Sequence, residues 1–173
     1  MNAEMDNAVT LLKLARNVVV FTGAGASAES GIATFRDALT GLWSRYEAQR
    51  LATAPAFKDD PSLVWGWYEW RRAQAAAATP NAGHIAIAQL AHYVETLTVA
   101  TQNVDDLHER AGSETVYHLH GSLNRPRCFD CSSTVEAPLP ETESMRPAKS
   151  STQPRNARTW CALKFRWTPV LAF

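Results

Sequence analysis

Gly23-Ala24-Gly25-Ala26-Ser27-Ala28 is a run of small residues of the kind that lets backbone N–H groups approach a diphosphate closely. Thr101-Gln102-Asn103-Val104-Asp105 places two amides and a carboxylate side by side. Amides both donate and accept, as holding ribose hydroxyls and a carboxamide requires. His118-Leu119-His120-Gly121 offers a general base for neutral pH, because an unperturbed imidazole titrates at about 6.5. Cys128 and Cys131, with two residues between them in a C-x-x-C spacing, can clasp a metal from one knuckle. Tyr68 and Arg71, at i and i+3, would share one helix face, where a phenol beside a guanidinium makes a carboxylate receptor.

Each group also has a plainer reading. Gly23, Gly25 and Ala28 fit G-x-G-x-x-[G/A], but the same letters make a tight turn in any α/β protein. Moreover, no ribose-reading acid follows about 20 residues later at the end of a next strand, as a dehydrogenase needs; Glu47 has the spacing but helical surroundings. Gln102 to Asp105 could be a polar turn in which Asp105 caps a helix. Of the five histidines, His118 rivals His120, and His84 and His108 are expected on helix surfaces or in local hydrogen bonds. Tyr68 and Arg71 could be a core-edge phenol and a solvated cation, and the cysteines two separate thiols. Trp65, Trp67 and Trp70 suit core and pocket walls better than stacking platforms for nucleic acid.

The elements needed to position these groups are legible. Residues 7–16 read as a short amphipathic helix. Val18 to Thr22 form a continuous apolar run, the pattern of a strand buried on both faces of a parallel sheet. Short helical pieces follow around Leu42-Trp43 and over Ala54 to Phe57. Asp60-Pro61 is a helix start, an N-cap acceptor followed by Pro at the first helical position, opening a helix from Ser62 to Ala78. Pro80-Asn81 opens another to about Tyr93. Thr96 to Thr101 is a second buried strand, 105–111 a helix closed by Gly112, and Thr115 to Leu119 a third strand. Alternating strand and helix define an α/β fold with a partial Rossmann-like parallel sheet and helices on both faces.

Composition bounds the rest. The chain has 173 residues, 46% of them hydrophobic, and a formal net charge of zero. That charge is unevenly placed. Residues 1–145 carry all 17 acidic side chains, whereas 146–173 carry six basic ones and no acid. Such a break marks a boundary. The acidic N-terminus lacks the order of a secretory signal, no apolar run reaches the roughly 20 residues that span a bilayer, and three Cys do not make a disulfide framework. A cytoplasmic protein with reduced thiols is expected, with no membrane partner.

In their order and separations, these strings resemble the sirtuins, the NAD-dependent protein lysine deacylases, over about residues 7–135. Gly23 to Asp37 is similar to the sirtuin cofactor loop, with Ala26 where the family has Ile and Ala33 where it has Pro; losing that Pro frees a fixed φ. The resemblance implies that Gly23, Ala24, Gly25, Ser27 and Ala28 meet NAD together with Thr34, Phe35 and Arg36, with Phe35 over the reacting ribose and Arg36 ordering the loop. It implies that Gln102 and Asn103 contact ribose and ordered water, that Asp105 receives the nicotinamide amide, and that His120, not His118, is the base. Tyr68 and Arg71 resemble the Tyr-x-x-Arg of sirtuins that remove succinyl and malonyl groups. The implied reaction is attack of an acyl-lysine oxygen on the ribose C1′ with departure of nicotinamide, attack of the ribose 2′ oxygen on the imidate carbon, and addition of water to release free lysine and O-acyl-ADP-ribose. The implied partners are acylated-lysine proteins, met by a monomer with no specific nucleic acid.

The expected organisation is a partial NAD-binding domain over 1–125 with a helical insertion over about 38–93. A half zinc module at 126–145, an incomplete zinc ribbon, and a divergent basic tail at 146–173 follow. The family supplies a second Cys pair for zinc; here Cys161 alone remains, with Lys164 three residues on. From this we expect a truncated or frame-damaged form with a bare sheet edge, weak stability and little turnover. The alternatives are a non-catalytic remnant that binds NAD or ADP-ribose weakly and, on Cys128, Cys131, Arg125, Arg127 and the basic tail, a small zinc- or nucleic-acid-binding module.

Overall fold

The computed structural model describes residues 3–32 and 46–127. Three parallel strands, β1 (Asn17–Thr22), β2 (Thr96–Thr101) and β3 (Val116–His118), lie side by side in that order. β1 pairs with β2 from Asn17 opposite Thr96 to Thr22 opposite Thr101, and β2 pairs with β3 from Val99 opposite Val116 to Thr101 opposite His118. Because all three run the same way, the glycine loop after β1, the amide turn after β2 and the segment after β3 leave the sheet at one edge.

Helices α1 (Ala3–Leu14), α2 (Gly25–Ala28), α3 (Ala48–Leu51), α4 (Ala54–Asp59), α5 (Pro61–Ala77), α6 (Ala82–Gln89) and α7 (Leu107–Arg110) complete the described chain. The start of α5 follows from Asp60, whose Oδ1 accepts from the Leu63 N–H at 2.9 Å, with Pro61 at the first helical position, where no N–H is missed. Asp60→Ala should therefore cost about 1 kcal/mol of stability; urea unfolding measures it, and an unchanged midpoint would remove the cap from the account. At its other end α5 is held by Arg110, which donates to the carbonyls of Ala75 at 3.0 Å and Ala78 at 2.5 Å. Gly112, at φ +102°, closes α7 in a conformation that L side chains rarely adopt.

The core is gathered by α5. Val64, Trp67, Tyr68 and Ala75 are buried with Ala48, Leu51 and Ala52 of the α3 region, Phe57 of α4, and Leu123. Trp70 packs against this cluster and Trp65 is buried nearby, so these indoles serve as core, as expected.

Several expectations need correction. β1 is not buried on both faces: Val19 is 69% and Phe21 63% exposed. They point away from Val18, Val20 and Thr22, and α1, which has no buried residue, does not cover them. α1 starts and ends earlier than residues 7–16. α6 stops at Gln89 and tightens into a 3-10 turn over Leu90–His92, and β3 is shorter than the strand expected over Thr115 to Leu119. The helical piece expected around Leu42-Trp43 lies outside the described residues.

Candidate functional site

Ser27 joins the first two loops. Its Oγ receives a hydrogen bond from Asn103 Nδ2 at 2.8 Å and donates one to Asp105 Oδ2 at 3.0 Å. All three residues are buried. The second oxygen of Asp105 accepts from the Leu107 N–H at 3.2 Å, at the start of α7. One oxygen of Asp105 thus meets the first N–H of α7 and the other faces the glycine loop. Gln102, though exposed, sits beside the loop, since a Cβ on Gly23 would meet Gln102 Oε1 at 3.8 Å.

The loop leaves room for a ligand. A Cβ at Gly25 would meet nothing within 4 Å, and Ala24, Gly25 and Ala28 are exposed. Open backbone beside a buried amide–hydroxyl–carboxylate chain fits a dinucleotide. α6 secures the loop from behind, because Asn81 Nδ2 donates to the Ala26 carbonyl at 2.8 Å and to Ser30 Oγ at 3.1 Å. The same Asn81 caps α6 by accepting from Gly83 and His84 N–H groups.

His120 is half-buried just beyond β3. It is followed by Gly121 at φ +82°, where only Gly turns the chain without strain. It lies on the same edge of the sheet as Ser27, Asn103 and Asp105. His118 is also fixed there, with Nδ1 2.8 Å from the Asn103 carbonyl and Nε2 2.7 Å from Glu109 Oε1.

Tyr68 and Arg71 share one face of α5. Arg71 lies over the Trp67 indole, 5.1 Å from its centroid. Burial pushes the Tyr68 phenol up to about 12 against the opposing Arg71 charge, so it remains an O–H donor at neutral pH. Burial also lowers Arg71, whose charge Tyr68 and Asp105 favour. Tyr68 lines an apolar hollow with Leu51, Phe57 and Val64.

His84 and His108, expected on helix surfaces or in local hydrogen bonds, are both 1% exposed. The His84 and His108 rings meet edge to face at 4.7 Å. His108 Nε2 bonds Thr22 Oγ1 at 2.9 Å, and Thr22 bonds Thr101 at 2.8 Å across the sheet. His84 Nδ1 does accept locally, from the Asn81 N–H at 3.4 Å. His84 anchors the loop-holding end of α6; a His three positions after an N-cap Asn was the only signal for it. Burial lowers both histidines; His84 and His118 lower His108 further, while Asp105 opposes both shifts. Groups with depressed folded values stabilise above the unfolded value of about 6.5 and lose that stability as pH falls through the folded ones. The melting temperature should thus drop as pH is lowered from 6.5 to 5; a flat profile in thermal unfolding would contradict it.

Thr34, Phe35, Arg36, Cys128 and Cys131 lie outside the described residues. Among the described residues, no group of three or more His, Cys, Asp or Glu is arranged to hold a metal ion, and no helix is long and apolar enough to cross a membrane.

A parallel α/β sheet with a small-residue loop and a buried polar chain at its carboxyl edge defines a nucleotide-binding fold. Residues 23–163 match the model of the Sir2 family, and the chain belongs to that family. This match reaches further toward the C-terminus than the stretch over which the motifs were read. Over 151 residues, 87% of this chain, it is 54% identical to NAD-dependent protein deacylase 1 of Pseudomonas aeruginosa, of whose length the match covers 60%. A crystal structure of a Sir2 homologue with NAD is similar at a TM-score of 0.69 and 44% identity, over 80% of this chain and 56% of that one. A mutant Sir2 homologue bound to 2'-O-acetyl ADP ribose gives 0.68 and 45%, over 79% and 53%. The chain thus spans about half to 60% of the length of these relatives.

Proposed function

We propose that the protein removes acyl groups, acetyl and also succinyl or malonyl, from protein lysines in an NAD-dependent reaction that releases nicotinamide and O-acyl-ADP-ribose. The observation that carries this reading is the Asn103–Ser27–Asp105 chain, which joins the glycine loop to the amide-rich turn in a chain of the Sir2 family. The deacylase named from Pseudomonas aeruginosa and the acetyl ADP ribose complex of a homologue support it.

In this reading Gly23, Ala24, Gly25 and Ala28 present backbone to the diphosphate, and Thr34, Phe35 and Arg36 complete the loop. Gln102 and Asn103 hold ribose hydroxyls, Asp105 receives the carboxamide, and His120 takes the ribose hydroxyl proton. NAD, as co-substrate, supplies the nicotinamide–ribose bond that is broken. The Tyr68 hydroxyl and Arg71 guanidinium supply donors for the terminal carboxylate of the acyl chain. Cys128 and Cys131 would supply two of the ligands of a structural zinc. We read residues 1–125 as the NAD-binding part, 126–145 as the half zinc module and 146–173 as a basic tail, in a cytoplasmic monomer acting on acylated proteins.

The test is incubation of the full chain with NAD and acetyl-lysine or succinyl-lysine peptides, with products read by mass spectrometry. Nicotinamide release coupled to acyl transfer is expected, with Arg71→Met selectively slowing the succinyl substrate. An NAD-dependent thermal shift without turnover would instead support a binding remnant, and neither shift nor turnover would reject the reading.

A further inference from the structure

His118 makes an unusual pair of contacts. Nδ1 faces the Asn103 backbone oxygen at 2.8 Å and Nε2 faces Glu109 Oε1 at 2.7 Å. A carbonyl and a carboxylate both accept and have no hydrogen to give. A neutral imidazole carries one N–H, so either tautomer satisfies one contact and turns a lone pair against the other oxygen. Only the imidazolium donates to both. Asn103 is the residue whose side chain reaches Ser27, and Glu109 belongs to α7, whose first N–H, that of Leu107, donates to Asp105.

We propose that His118 is a positioning residue that acts as a protonated clamp. It holds the Asn103 backbone to α7 and so keeps the Asn103 side chain on Ser27 in the nucleotide site. The consequence for nucleotide affinity rests on the NAD-binding reading above; the clamp itself does not.

The charged surroundings agree with the geometry. The hydrogen bond to Glu109 raises His118; burial opposes it, while the Asn103 carbonyl and the Glu109 and Asp105 charges add to it. Glu109 is pushed up by burial, but the His118 hydrogen bond, its own backbone and the charges of His118 and His108 leave it below the usual carboxylate range. Among the described residues, Glu109 and His108 on α7 and Asp105 on the preceding loop are the ionisable groups that act on His118. A raised folded value means the clamp is complete below the unfolded value of about 6.5 and is released as pH rises through the folded one.

The experiment is a pH titration of the full chain followed by imidazole nitrogen NMR and by the Asn103 side-chain amide resonance, without nucleotide and then with NAD. Expected is a His118 ring with both nitrogens protonated at pH 6.5, an Asn103 amide that follows the same titration, and a midpoint that falls in Glu109→Gln. With NAD, affinity should weaken about fivefold to tenfold as pH rises through that midpoint, the loss expected for one ordinary hydrogen bond. His118→Gln should be weak at both ends of that window, and it retains His120, so any remaining pH dependence belongs to other groups. A single neutral His118 tautomer at pH 6.5 would overturn the clamp. So would an Asn103 amide that ignores the titration, or wild-type affinity and pH slope in His118→Gln. Absence of NAD binding at every pH would reject the NAD reading alone, because the ring and amide signals decide the clamp by themselves.

Discussion

Asp105→Asn is expected to lower the proposed NAD-dependent turnover by roughly 10- to 100-fold, the equivalent of one charge-assisted hydrogen bond of about 1.5–3 kcal/mol. The reason lies in donors and acceptors rather than in shape. Asp105 accepts from two sides, from the Ser27 hydroxyl at 3.0 Å and the Leu107 N–H at 3.2 Å. An amide has one oxygen, so either orientation turns an NH2 group toward one of these donors. Ser27 cannot resolve this freely, because its oxygen already accepts from Asn103 at 2.8 Å. Leaving one buried donor unmatched costs about 1–3 kcal/mol of stability as well. Steady-state kinetics alongside urea unfolding separates the two losses; full activity would remove Asp105 from the site.

Trp67→Ala should remove about 3–5 kcal/mol of stability, as large-to-small changes at buried aromatic positions do. Trp67 is 1% exposed. The Tyr68 ring meets it at 4.8 Å and the Arg71 guanidinium lies over it at 5.1 Å. The truncation thus opens a cavity under both groups proposed to read an acyl carboxylate. Since folded domains hold only about 5–15 kcal/mol in reserve, the variant should be largely unfolded at temperatures the parent tolerates. Trp67→Phe should recover part of the loss. Chemical denaturation measures both, and a loss below about 1 kcal/mol would place Trp67 outside the stabilising core.

What the sequence disclosed depended on how local the cause was. Asp60-Pro61 announces α5 because cap and helix start are adjacent residues, and β2 occupies Thr96–Thr101 as its apolar and β-branched run implies. Ser27, Asn103 and Asp105 could be grouped because parallel strands deliver their ends to one edge. By contrast, exposure of Val19 and Phe21 depends on what packs on the far face of β1, which the apolar run alone does not contain. Burial of His84 and His108 arises where α6 meets α7, 24 residues apart in the chain. The role of His118 needs a carbonyl 15 residues away and a carboxylate nine residues away. Contacts of this range leave no periodic trace.

The central claim is that the loop after β1 and the turn after β2 form one nucleotide pocket with the segment after β3. Titrating NAD into the isotopically labelled full chain, and following backbone amides, tests it most directly. Saturable shifts concentrated at Gly23 to Ala28, Gln102 to Asp105 and His120 to Gly121 are predicted. Shifts confined to other parts of the chain, or none at millimolar NAD, would contradict it.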